Sequence, residues 1–191
     1  MWSLAGDGLL HWSNQVALLA FDCEADKENI ITALRIFAEK SGPYGMLGGQ
    51  SVDVLYTGKS PNKERLDFIY RLKTCALIEA SLMIGAALAG VRGQELKRFE
   101  RIGYCVGMAF QIKDDILDHV STTEELGKPV GSDEKNEKTT YVTLFGIDEA
   151  QKEVERLSKE AVKELSETEA FDIEERAFLL WLINSLTERK K

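Results

Sequence analysis

Residues 107–120 restrict the fold and chemistry of this chain more than any other stretch. Phe110, Ile112, Ile116 and Leu117 recur at helical spacing, which commits one face of the segment to a core. Among them stand Asp114, Asp115 and Asp118, an Asp-Asp-x-x-Asp pattern. On a helix Asp114 and Asp118 are i and i+4, on one face, with Gln111 a turn earlier on the same side. Like charges at that spacing repel by about 0.2–0.5 kcal/mol per pair. Partial burial raises the cost until a cation compensates. Carboxylate oxygens suit a hard ion such as Mg2+, which keeps several waters and bridges to a substrate phosphate. The plainer reading is a solvated acidic face.

The remaining sequence reads as helices joined by short breaks. Helical patterning covers residues 4–21, then a segment capped by Asp26 and stopped at Gly42-Pro43. Residues 44–56 form a shorter helix with Gly45, Gly48 and Gly49 near its start. Residues 63–89 continue as helix with a kink around Lys73-Thr74, and Gly85, Ala86, Ala87 and Ala89 allow close helix approach. Residues 94–120 carry the acidic motif, a polar loop spans 121–140, and amphipathic helices at 148–165 and 172–188 close the chain. Few segments alternate like strands, so the expectation is all-α: a single all-α domain, 1–191, of about eight helices. The 191 residues suffice for one domain or slightly more.

Charge and cysteine usage narrow the function classes. A net charge of −8 argues against a nucleic-acid partner. Cys23, Cys75 and Cys105 are odd in number and lack metal spacing, which fits reduced thiols in a cytoplasmic protein. His11 and His119 are too far apart in sequence to suggest zinc. The apolar run 76–91 contains Glu79 and falls short of the ~18 residues of a membrane span. The first residues lack the basic start of a signal peptide.

Three further constellations sit beside the acidic helix. Gln50 and Asp53 lie at i and i+3, behind glycines that let another element approach; a surface polar pair is the plainer reading. Lys73-Thr74 is embedded in apolar sequence, where a lysine either serves a site or snorkels beside an acid. Lys128, between Gly127 and Pro129, and Lys138 beyond it can reach a phosphate, although solvated loop lysines are commoner. Together they offer carboxylates for a divalent ion and lysines for a polyanion, the requirements of a metal-bridged diphosphate.

These residues resemble a family. Residues 110–118 (FQIKDDILD) are similar to the second aspartate-rich motif of trans-isoprenyl diphosphate synthases, the polyprenyl synthetases that include farnesyl and geranylgeranyl diphosphate synthases. Residues 126–133 (LGKPVGSD) and 136–144 (NEKTTYVTL) resemble the segment that follows. Lys73-Thr74, residues 49–53 (GQSVD) and residues 4–10 (LAGDGLL) match upstream motifs in order. The resemblance implies a helical bundle of the isoprenoid synthase type, truncated at the N-terminus. It implies a Mg2+-dependent prenyltransferase that condenses an allylic diphosphate with isopentenyl diphosphate. Asp114 would ligate Mg2+, with Asp115 and Asp118 in or near its shell. Lys73, Lys128 and Lys138 would contact the diphosphate, and Thr74 and Gln111 would steady the reacting end of the isoprenoid. Gln50 and Asp53 would support them. The family's dimer interface would involve residues 4–21.

The departures matter equally. No second Asp-Asp-x-x-Asp occurs in the chain and no two arginines are adjacent, so the family's first aspartate-rich motif and its Arg-Arg pair are missing. Half of the metal site and most of the isopentenyl diphosphate site would be absent. The expectation is an impaired or partner-dependent synthase, acting as a homodimer or with a partner that supplies the N-terminal half. A non-catalytic partner subunit is the alternative. A terpene cyclase would also ionise diphosphates, but Lys73-Thr74 and residues 126–133 favour chain elongation.

Overall fold

The computed structural model describes residues 2–120, 139–170 and 172–187, and among them it contains helices and no strand. The helices are α1 (Trp2–Leu18), α2 (Lys27–Ser41), α3 (Met46–Leu55), α4 (Lys63–Tyr70), α5 (Ala76–Leu88), α6 (Gly93–Val120), α7 (Tyr141–Phe145), α8 (Ile147–Glu167) and α9 (Ile173–Thr187). A short 3-10 turn, Leu19–Asp22, follows α1, and a π-helical segment, Arg71–Cys75, joins α4 to α5. Segment 121–138, with Lys128 and Lys138, lies outside the described residues.

Local chemistry sets several boundaries. Asp26 caps α2 by accepting a hydrogen bond from the Asn29 amide at 3.0 Å, as its place before an apolar-periodic run predicts. Asn62 caps α4 in the same way through the Arg65 amide, 3.0 Å. Thr140 and Thr143 exchange side-chain and backbone bonds at the start of α7, a reciprocal cap that lets a five-residue helix begin.

α6 is the central element. It packs on α5 along one side and on α8 along the other, and α2 lies against α5. Ile102, Val106, Ala109 and Ile112 of α6 meet Val154, Leu157, Ala161 and Leu165 of α8 in one cluster. Ile36, Ala80, Met83, Ala87 and Phe99 form another, between α2, α5 and α6. Each large side chain so buried contributes about 1.5–3 kcal/mol relative to exposure. Arg98 bonds Glu164 at 2.9 Å and Glu167 at 2.8 Å, and Arg101 bonds Glu160, so charge ties the solvent edge of the α6–α8 seam. Between α2, α5 and α6, Lys40 bonds both Glu79 and Glu100, the latter at 2.6 Å.

The kink expected at Lys73-Thr74 is the π-helical segment itself. A π turn carries one more residue than an α turn and re-aims the side chains within it. Two glycines make room for it. A Cβ on Gly49 would stand 2.3 Å from the Lys73 amide nitrogen, and one on Gly107 would stand 2.7 Å from the Cys75 Cα. Helices α3 and α6 therefore press on the segment from two sides. The small residues of α5 behave differently from one another. Ala86 and Ala87 are buried, whereas a Cβ on Gly85 would meet nothing within 4 Å.

Candidate active site

Four elements converge on one cleft. Its wall includes Asp53 from α3, Tyr70 and Lys73 from α4 and the π segment, Gln111 and Asp115 from α6, and Thr140 just before α7. The π turn presents Lys73 and Thr74 side by side to different partners. Lys73 Nζ donates to Asp53 Oδ2 at 2.5 Å, and both side chains keep partial access to solvent, 33% and 19%. Thr74 Oγ1 donates to Gln111 Oε1 at 2.7 Å, and Gln111 Nε2 faces Asp115 Oδ1 at 3.4 Å.

Asp115 is the hub of the polar network. It is 4% exposed. Its Oδ2 accepts the Tyr70 hydroxyl at 2.6 Å and the Tyr141 backbone amide at 2.8 Å. Donation into a buried carboxylate is about twice as strong as a neutral hydrogen bond. The Tyr141 ring lies under Lys63, 5.6 Å from ammonium to ring centre, and burial pushes its phenol above the ordinary value.

The sequence-predicted residues divide into four groups. Lys73, Thr74, Gln111, Asp115 and Asp53 come together. Asp114 is half-buried and Asp118 buried on the same helix, held there by Ile112, Ile116 and Leu117, all buried. Gln50 is exposed, so the i,i+3 pairing with Asp53 divides between solvent and cleft. Lys128 and Lys138 fall outside the described residues. Among the described residues no group of three or more His, Cys, Asp or Glu side chains is arranged to hold a metal ion. Tyr70 and Tyr141 were not singled out from the sequence. Tyr70 had a signal, standing one turn before Lys73 and Thr74 on the same helical face. Tyr141 lies in the family-like stretch 136–144, but nothing there marks its amide as a donor to Asp115, which it reaches from another element.

A model of the polyprenyl synthetase family matches residues 5–177. The chain belongs to the polyprenyl synthetase family. Geranylgeranyl diphosphate synthase of Cyanophora paradoxa is 40% identical over 164 residues, 85% of this chain and 54% of that protein. The heterodimeric geranylgeranyl pyrophosphate synthase large subunit 2 of Arabidopsis thaliana is 34% identical over 194 residues, 97% of this chain and 51% of that protein. A crystal structure of geranyltransferase from Helicobacter pylori, complexed with magnesium and isoprenyl diphosphate, superposes with a TM-score of 0.82 at 29% identity. It covers 97% of this chain and 60% of that one. The chain spans about half the length of the curated relatives it matches. Among the described residues of this family member, no helix is long and apolar enough to cross a membrane.

Proposed function

We propose that this polyprenyl synthetase chain binds the diphosphate of an allylic substrate and takes part in its Mg2+-dependent condensation with isopentenyl diphosphate. The observation that carries the reading is the convergence of Lys73, Gln111 and Asp115 on one cleft, with Thr74 bonded to Gln111 behind them. In the condensation the allylic carbon–oxygen bond breaks and the electron pair leaves with the diphosphate. The double bond of isopentenyl diphosphate then attacks the allylic cation, and a proton is lost. Lys73 would offset charge on the departing diphosphate, exchanging or sharing its present partner Asp53. Thr74 and Gln111 would orient the reacting end, and the apolar wall of Leu66 and Ile69 would limit water near the cation.

The donor chemistry fits magnesium. Asp114 and Asp118 offer hard oxygens at i and i+4 of α6, and Mg2+ is commonly held by one or two carboxylates plus substrate phosphates. Bound there, the ion would supply electrostatic stabilisation of the leaving group. Lys128 and Lys138 belong to the same proposal through family resemblance, with Gln50 in support. The chain would act as one domain, in a reducing compartment such as the cytoplasm, since its three cysteines are unbridged.

A second reading is a subunit whose partner supplies the remaining half. Leu4, Leu9 and Trp12 of α1 are 71%, 63% and 61% exposed, and a large subunit of a heterodimeric synthase is among the relatives. Calorimetry with inorganic diphosphate and with an allylic diphosphate, with and without Mg2+, tests the main reading. Mg2+-dependent binding that Asp114→Ala abolishes is the expected result, with little condensation by the chain alone. Absence of binding would overturn it. Activity gained only on adding a first-half segment of a related synthase would favour the two-part enzyme.

A further inference from the structure

We infer that Asp115 is a positioning residue, separate in role from Asp114 and Asp118: it ties the Tyr70 hydroxyl and the start of α7 to α6, and so orients Gln111 and Thr74. The inference rests on the diphosphate-binding reading of the cleft.

Three observations carry it. First, Asp115 Oδ2 already receives two protein donors, Tyr70 Oη at 2.6 Å and Tyr141 N at 2.8 Å. A metal-binding oxygen needs its lone pairs directed at the ion, and two short donors at the same oxygen compete for them. Second, the donors come from α4 and α7, two separate elements that meet beside the cleft. Without the carboxylate, the amide at the first turn of α7 and the hydroxyl of Tyr70 lose their acceptor in a buried place. Tyr70 and Tyr141 are 7% and 6% exposed, so that loss is costly. Tyr141 stands three positions after Lys138 and directly follows Thr140 of the cleft wall. The Asp115 bond therefore fixes the start of α7 beside the site.

Third, the network has a direction. A carboxylate only accepts, so the Gln111 group facing Asp115 must be its amide nitrogen. That leaves the Gln111 carbonyl oxygen toward Thr74, which receives the Thr74 hydroxyl proton at 2.7 Å. Asp115 thus dictates which way Gln111 points and, through it, where the Thr74 hydroxyl is held. An amide at position 115 has one donor end. Turned toward Tyr70 and Tyr141 it would oppose two donors; turned toward Gln111 it would reverse that amide and the Thr74 bond with it.

The test compares Asp115→Asn, Tyr70→Phe and Asp114→Asn with the wild-type chain, after circular dichroism shows that each variant is helical. Tyr70→Phe keeps the ring and cannot affect metal ligation directly, so it remains informative if Asp115→Asn fails to fold. Binding of inorganic diphosphate is measured by calorimetry at saturating Mg2+, and the Mg2+ midpoint is measured at saturating diphosphate. Amide hydrogen exchange at Tyr141 is followed in parallel. Asp115→Asn and Tyr70→Phe should each weaken diphosphate binding about tenfold, the scale of one hydrogen bond to a charged group, while leaving the Mg2+ midpoint in place. Exchange at the Tyr141 amide should quicken in Asp115→Asn. Asp114→Asn should instead move the Mg2+ midpoint. A midpoint that moves in Asp115→Asn as it does in Asp114→Asn makes Asp115 a ligand and overturns the inference. Unchanged diphosphate affinity in the two positioning variants also overturns it. A wild-type chain that binds no diphosphate at any Mg2+ concentration overturns the cleft reading itself, and the inference with it.

Discussion

Helices α1 and α8 are of similar length and stand in opposite situations. α8 buries Ala150, Val154, Leu157, Ala161 and Leu165 along one stripe against α6. It faces solvent with Arg156 bonded to Glu153 and Glu160. Its apolar and polar positions separate cleanly around the helix, so packing within this chain satisfies it. α1 has apolar residues in abundance, yet none of its described side chains is buried. Leu4, Leu9, Trp12 and Val16 are all exposed. A contiguous apolar surface of that kind is unusual on a soluble monomer. Amphipathic pattern and matching neighbour must coincide within the chain; α8 has both, whereas α1 has apolar content and, among the described residues, only slight contact with α2.

The largest effect that would break this contrast lies in the α6–α8 seam. Leu157 is 1% exposed, and Leu157→Ala should cost about 4 kcal/mol in chemical denaturation, transfer and cavity terms together. Trp12→Ala should change the stability of the same chain by no more than about 0.5 kcal/mol, as for an unburied position. Equal costs would mean that α1 is packed in solution.

The buried ion pair gives a second contrast. Lys40→Met leaves Glu79, 2% exposed, without its cation, and should destabilise by about 3 kcal/mol. Burial alone would depress the Lys40 ammonium, but bonds to Glu100 and Glu79 outweigh it and raise it above its ordinary value of 10.5. A raised lysine stabilises the fold below its ordinary value and loses that contribution as pH climbs through the folded value. The wild-type melting temperature should therefore fall more than that of Lys40→Met as the pH is raised above 10.5.

Assembly tests α1 directly. Light scattering at micromolar concentration should show a dimer or larger species, and Trp12→Glu should weaken self-association by at least about tenfold, or about 1.4 kcal/mol. A wild-type chain that is cleanly monomeric would show that exposure of α1 is tolerated rather than partnered. A smaller cost than at Leu157 or Lys40 is expected at the α2 cap, where Asp26→Ala should lose about 1 kcal/mol by thermal melting.

Much of the helical order was legible because it rests on local rules. Asp26 announced α2, Gly42-Pro43 ended it, and the residues about Lys73-Thr74 marked a break in 63–89. The same local reading placed Asp114, Asp115 and Asp118 on one long helix, and the family resemblance set Lys73 and Thr74 beside them as candidates. It did not extend to α7: five residues that begin with a reciprocal threonine cap are too short for periodicity to register. Nor did i,i+3 spacing reveal that Asp53 would face the cleft while Gln50 faced solvent, since spacing gives a shared side and not what lies opposite.

Residue identity and short-range spacing were enough for the all-helical class, the order of the long helices, the acidic motif and the family. Tertiary structure decided what those residues do to one another. The break at Lys73-Thr74 is a π turn that α3 and α6 approach so closely at Gly49 and Gly107 that no Cβ fits. Asp115 became the hub of the cleft because Tyr70 and the Tyr141 amide, 45 and 26 residues away in sequence, converge on a single oxygen. A buried carboxylate takes whichever donors the packing brings within reach, and no pattern within one helix encodes donors that arrive from others.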